Sequence, residues 1–223
     1  MLSRTLHWAS TSRGARLVRA FATINLFLIL HTAAALADDG RPDFPAQFSV
    51  TGVAEDERLN IQAAPETRAP ILASRYAYAL NIEVIETTPD GTWGLVGVPE
   101  GNGWVNMRFL VRSDIFPHEL PRPLTCMGTE PFWRIGLYPR GSDFEMLGDV
   151  PRELSTVHEA VGENGFLARL EEGPTLERTL IVTRGQCSDG MSDRRFGWHG
   201  TLFTEAPDGN YVLAGCCTLD GNF

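Results

Sequence analysis

The residues best equipped for chemistry are four cysteines, Cys126, Cys187, Cys216 and Cys217, all in the C-terminal half of a 223-residue chain. A thiol can attack a substrate, bind a metal or be consumed in a bridge, and spacing decides among these. Zinc sites draw on Cys-x2-4-Cys pairs, whereas Cys216 and Cys217 are the only close pair and have no residue between them. A thiolate nucleophile assisted by His199 needs a low-pKa setting that the sequence does not show. An even count favours two disulfides. Cys216 and Cys217 are poor partners for each other, because neighbouring Cα atoms stand about 3.8 Å apart and disulfides span about 4.4 to 6.8 Å. The preferred pairing is Cys187 with Cys216 and Cys126 with Cys217, and the exchanged pairing stays open. If Cys216 and Cys217 share a strand, one bridge points inward and the other outward.

The string from Cys187 to Asp193 holds the other reactive groups, Ser188, Asp189, Ser192 and Asp193. A calcium loop would need an Asp-x-Asp-x-Asp-Gly run with a distal glutamate, which is missing. Ser192, His199 and Asp193 contain the ingredients of a triad, but no Gly-x-Ser-x-Gly elbow presents the serine. The simpler expectation is a polar turn whose aspartates and serines bond their own backbone. Glu130 is expected to form a structural ion pair with Arg134, Arg194 or Arg195. A hydrolase using Asp189, Asp193 or Glu130 would require two carboxylates roughly 5 to 10 Å apart across a groove. The expectation is a non-enzyme without metal or cofactor.

These groups must be positioned by strands. Phe48–Val50, Leu59–Ile61, Ile71–Leu72, Leu80–Val84, Trp93–Val96 and Trp104–Val105 are short β-prone runs, with turn chemistry at Pro89-Asp90-Gly91 and Gly101-Asn102-Gly103. They predict a small barrel over residues 47–112. After a proline-bearing linker, 113–121, a second set begins: Trp133–Leu137, Phe144–Met146, Phe166–Leu170, Leu180–Thr183, Trp198–Phe203 and Tyr211–Cys217. Arg152–Val161 reads as room for one short helix. The fold class is therefore all-β: a small, partly open barrel, then, over 122–223, a disulfide-pinned antiparallel β-barrel or curled sheet.

The chain opens with an export pattern. Arg4, Arg13, Arg16 and Arg19 precede an apolar run from Phe21 to Leu30, and Ala35-Leu36-Ala37 supplies a small-x-small cleavage site. Residues 1–37 are read as a cleaved signal peptide, which leaves roughly 190 residues for two domains and no stable membrane insertion. The formal net charge is −9, every basic residue is arginine, and loss of the leader removes four of them. A chain this acidic repels phosphate backbones, so nucleic acid is not expected as a partner. The destination is the periplasm, where thiols pair.

Two stretches resemble known families. Leu59-Asn-Ile-Gln-Ala-Ala-Pro-Glu-Thr67, Gly91-Thr-Trp-Gly-Leu-Val96 and Gly103-Trp-Val-Asn106 are similar in order and spacing to the bacterial SH3 domain. The resemblance implies a noncatalytic envelope module that binds peptidoglycan or an envelope protein, with Tyr76, Tyr78 and Trp93 as aromatic contacts. Trp104 is expected in the core. Cys126-x-Gly-Thr-Glu-Pro-Phe-Trp133, Cys187-Ser-Asp-Gly-Met-Ser-Asp193 and Gly215-Cys-Cys217 resemble an uncharacterised bacterial envelope family, which implies compartment and β-fold without an activity. A second functional expectation is a protein inhibitor of a cationic wall hydrolase such as lysozyme, with Ser188, Asp189, Ser192 and Asp193 as the inhibitory loop. Oligomeric state is left open.

Overall fold

A computed structural model describes residues 44–113 and 119–221. The export pattern of residues 1–37 and most of the 113–121 linker lie outside them. Nearly every described element is a strand. The first seven are β1 (Ala46–Val50), β2 (Arg58–Gln62), β3 (Ile71–Tyr76), β4 (Ile82–Thr87), β5 (Trp93–Val98), β6 (Gly101–Asn106) and β7 (Leu110–Arg112). They form one antiparallel sheet in the order β3-β2-β6-β5-β4-β1-β7. Alternate residues point inward, and Phe48, Ile61, Ile82, Val84, Val96 and Val105 make its core. The turn at Pro89-Asp90-Gly91 closes as expected. Asp90 accepts from the Thr92 N–H at 3.1 Å and from the Thr88 and Thr92 hydroxyls at 2.5 and 2.7 Å. Those donors, Thr88 first, hold its carboxyl down at about 2.

The remaining strands are β8 (Leu124–Thr129), β9 (Phe132–Leu137), β10 (Ser142–Met146), β11 (Arg152–Gly162), β12 (Gly165–Glu172), β13 (Leu176–Ser188), β14 (Arg195–Glu205) and β15 (Tyr211–Thr218). Each pairs antiparallel with the next, and β15 returns to β8, so the sheet closes into an eight-stranded up-and-down barrel. Barrels of this size are filled by side chains or hold one small ligand. Leu124, Ile135, Leu137, Leu180, Trp198 and Leu202 occupy this interior. Near one end the fully buried Arg178 guanidinium lies 3.7 Å from the Phe144 ring centre. It donates to Glu172 at 2.5 Å and Thr204 at 2.8 Å, so its charge is answered within the protein.

Both disulfides adopt the preferred pairing, Cys126–Cys217 and Cys187–Cys216. Cys216 and Cys217 share β15 and face opposite ways. Cys126–Cys217 belongs to the barrel core, and Cys187–Cys216 packs with Phe196 in a separate cluster. Two disulfides and no free thiol among the described residues fit an oxidising, extracytoplasmic compartment.

Several expectations change. Arg152–Val161 is no helix but most of β11, an edge-to-edge member of the barrel. Gly101-Asn102-Gly103 is no turn but the start of β6, and the reversal falls at Pro99-Glu100. A Cβ on Gly103 would sit 2.4 Å from Ile61 Cγ2, so this glycine permits close strand approach rather than a turn. Trp104 is half-buried rather than core. Glu130 is exposed and forms no ion pair among the described residues. Arg134 pairs instead with Glu145 and Asp143, and Arg195 with Glu86.

The sheet and the barrel lie within one unit, Arg41–Phe223, joined by buried polar contacts. Glu83 on β4 accepts from Trp198 Nε1 at 2.9 Å and from the Thr218 hydroxyl at 2.6 Å. Gln47 Nε2 donates to the Leu219 carbonyl at 2.8 Å. The Asn102 side-chain amide pairs with the Arg195 backbone in both directions, at 2.7 and 3.1 Å, as another strand would. Contact is close enough that a Cβ on Gly197 would meet Pro45 Cγ at 2.0 Å.

Candidate functional site

Two surfaces concentrate groups suited to binding. The first is on the N-terminal sheet, where β3 is the outermost strand, so its solvent side stays uncovered. Tyr76, at its end, is 68% exposed, and Tyr78, in the following turn, is 65% exposed. Strand register puts Arg58 opposite Tyr76, and its guanidinium lies 3.8 Å from the ring centre. The Tyr78 hydroxyl donates to Glu55 at 2.5 Å, which raises the phenol above its ordinary value. Trp93, expected as a third aromatic contact on this surface, is only 9% exposed. Its indole lines a hollow of about 350 Å³ together with Arg58, Asn60, Gln62, Asn106 and Arg108. Asn106 is fixed by accepting the Arg108 N–H at 3.1 Å, and Gln62 by donating to the Thr67 carbonyl at 2.8 Å. Gln62 Oε1 is buried without a hydrogen-bond partner among the described residues. The hollow thus offers amides, two guanidiniums and the Glu57 carboxylate around the Trp93 and Phe109 rings. It can hold amides and carboxylates.

The second surface joins the two cysteine-bearing strings. The Thr129 hydroxyl on β8 donates to the Asp189 carbonyl at 3.1 Å, tying the β8–β9 hairpin to the loop after β13. That loop is the expected polar turn. Asp189 accepts from the N–H groups of Met191 and Ser192 at 3.0 and 2.9 Å and from the Ser192 hydroxyl at 2.9 Å, while Ser188 accepts the Gly190 N–H at 3.3 Å. Gly190, at φ +73°, supplies the left-handed step. Burial pushes the Asp189 carboxyl up, but the Met191 and Ser192 donors outweigh it and hold it below its ordinary value. Asp193 is exposed. Between the strings lies a largely apolar cleft of about 540 Å³. Trp133, anchored through its indole N–H on the Ala214 carbonyl at 3.3 Å, forms part of its wall.

The triad and the thiol nucleophile are not assembled. Ser192 directs its hydroxyl to Asp189, while His199 sits exposed on β14 opposite Thr183 and Cys216, so no triad is assembled. All four cysteines are oxidised. Among the described residues no group of three or more metal-ligating side chains converges. No family model, curated protein or solved structure matches this chain.

Sequence reasoning named Tyr76 and Tyr78, which are exposed, and the 188–193 turn, but not their surroundings. Arg58 and Arg108 carry no motif that would single them out in the sequence. The other wall of the cleft comes from Met146 and Leu147 after β10 and from the β5–β6 hairpin at Pro99-Glu100. Its only sequence signal was the apolar Leu147 beside Gly148 in a turn, where polar residues are usual.

Proposed function

We propose that the protein is exported to the periplasm and that its N-terminal SH3-like unit binds the peptide portion of peptidoglycan. The observation that carries this reading is the hollow over Trp93, with Arg58 and Arg108 beside Asn60 and Asn106 and Tyr76 extending the surface through Arg58. Stem peptides present carboxylates and amides along an extended chain. Guanidiniums take carboxylates in paired hydrogen bonds, side-chain amides match peptide groups, and an aromatic floor adds contact at low entropic cost. Two disulfides and the arginine-rich opening with Ala35-Leu36-Ala37 support the compartment.

The test is sedimentation of the exported, oxidised protein with purified peptidoglycan. The Arg58→Ala/Tyr76→Ala variant should bind more weakly by about 1 to 3 kcal/mol, with folding unchanged because both side chains are exposed. Unaltered sedimentation of that variant, or no sedimentation of the wild type, would sink the reading. A second reading, inhibition of a cationic wall hydrolase, is supported by the net charge of −9. The Asp189 carboxylate is already taken up within its own turn, so an inhibitory contact would fall to Asp193. Lysozyme turnover that is suppressed by the wild type and restored by Asp193→Asn and by added salt would favour it.

A further inference from the structure

The geometry points to a second binding site, independent of the first: the cleft between the β8–β9 hairpin and the 188–193 turn receives an extended polypeptide segment that combines apolar side chains with lysine or arginine. Three features specify this occupant.

The lining is apolar and adaptable. Met127, Met146 and Met191, three of the chain's five methionines, line it with Phe132, Trp133 and Leu147. Thioether side chains reshape at little cost and suit contact with varied apolar groups.

The rim is more exposed than the floor. Leu147 is 79%, Met191 68% and Phe132 43% accessible, whereas Trp133 behind them is buried. A small ligand sunk into the cleft would leave the rim in water, because cavities of this size already enclose most of a drug-sized molecule. A chain crossing the mouth covers rim and floor together.

The charge is acidic. Glu100, Glu145, Asp149 and Asp189 line the cleft against Arg134 and Arg194. Arg134 is engaged by Glu145 at 2.8 Å and Asp143 at 3.1 Å, and Arg194 is buried with Asp220 and Glu83 acting on it. Asp149 is offset by Arg152 at 3.2 Å, so the excess rests on Glu100 and on Asp189, whose carboxylate is hydrogen-bonded within its turn but keeps its charge. Glu100, exposed on the β5–β6 hairpin, faces the mouth from the N-terminal sheet. This excess of carboxylates favours a cationic segment and disfavours an acidic one.

The test uses the full oxidised protein as bait for a displayed library of random dodecapeptides, counter-selected on the Leu147→Asp/Met191→Asp variant. Both side chains are exposed, and unchanged urea unfolding would verify that the variant folds. Enriched peptides should combine apolar residues with lysine or arginine. A synthetic peptide of the enriched sequence should bind the wild type, lose at least tenfold in affinity on the variant, weaken as salt is raised, and be unaffected by Arg58→Ala/Tyr76→Ala. Enrichment of acidic or uncharged peptides, equal retention by the Leu147→Asp/Met191→Asp variant, or no enrichment at all would overturn the assignment. Loss of binding in Arg58→Ala/Tyr76→Ala alone would transfer the peptide to the first surface and equally overturn it.

Discussion

Glu83 is the residue whose ionisation matters most to the fold. Burial raises its carboxyl, the Thr218 hydroxyl and the Leu219 N–H pull it back, Asp220 pushes it up again, and the outcome is about 7. The sign follows from where the proton sits. Between about pH 4.5 and 7 the folded protein keeps a proton that the unfolded chain has released, so stability falls as pH rises through that window, by about 3 kcal/mol in all. Urea unfolding at pH 5 and pH 8 should show this fall, and Glu83→Gln should flatten it. An unchanged slope in that variant would assign the effect elsewhere. Nothing near Glu83 in the chain announces this role. In a strand reading Ile82-Glu-Val84 the glutamate belongs on the wet face, but Trp198 and Thr218, 115 and 135 residues away, cover that face. Glu130 misleads in the opposite sense. Its neighbouring arginine suggested a pair, yet Arg134 finds its carboxylates across the β9–β10 ladder, where register rather than proximity in sequence sets the partners.

At the scale of elements, strands whose apolar residues strictly alternate were legible, and those with interrupted alternation were not. β9, with Trp133, Ile135 and Leu137 inward, reads directly as a strand. β11 does not, because its register shifts between Thr156 and His158 and only Leu154 of its eleven residues is buried. Gly103 reads as part of a turn because its function, close approach to Ile61, appears only once β2 is placed. The same reasoning makes Gly215 a sensitive position. A Cβ there would lie 2.0 Å from the Met127 carbonyl oxygen, a backbone atom that cannot swing aside. Gly215→Ala should therefore cost about 1 to 3 kcal/mol, measured by urea unfolding of the oxidised protein. A neutral substitution would mean that β8 and β15 can separate freely at that point. The cleft was half legible: its two motif strings stood out, while the Met146–Leu147 wall and the β5–β6 hairpin reach it only through tertiary packing.

For the whole molecule, the buried bonds between sheet and barrel predict that they melt together. Scanning calorimetry of the oxidised protein should give one transition. Gln47→Leu with Asn102→Ala removes the side-chain bonds to Leu219 and Arg195 and should split it in two. Two transitions in the wild type would show that these bonds carry little coupling. The barrel was foreseeable as a class because six short β-prone runs with turns between them can bury one face by closing or curling, but closure itself depends on β8 finding β15 about ninety residues later. Only three residue pairs zip that seam, and Cys126 and Cys217 face each other in the middle one. A copy of the chain stranded among cytosolic reductants would lack that staple across a seam of three residue pairs. It would expose two raw strand edges, β8 and β15, to chaperones and proteases. Oxidation thus acts as the last fastening of the ring: limited proteolysis should cut the reduced protein at β8 and β15 sooner than the oxidised one, and equal resistance would show that the ladder closes the seam unaided.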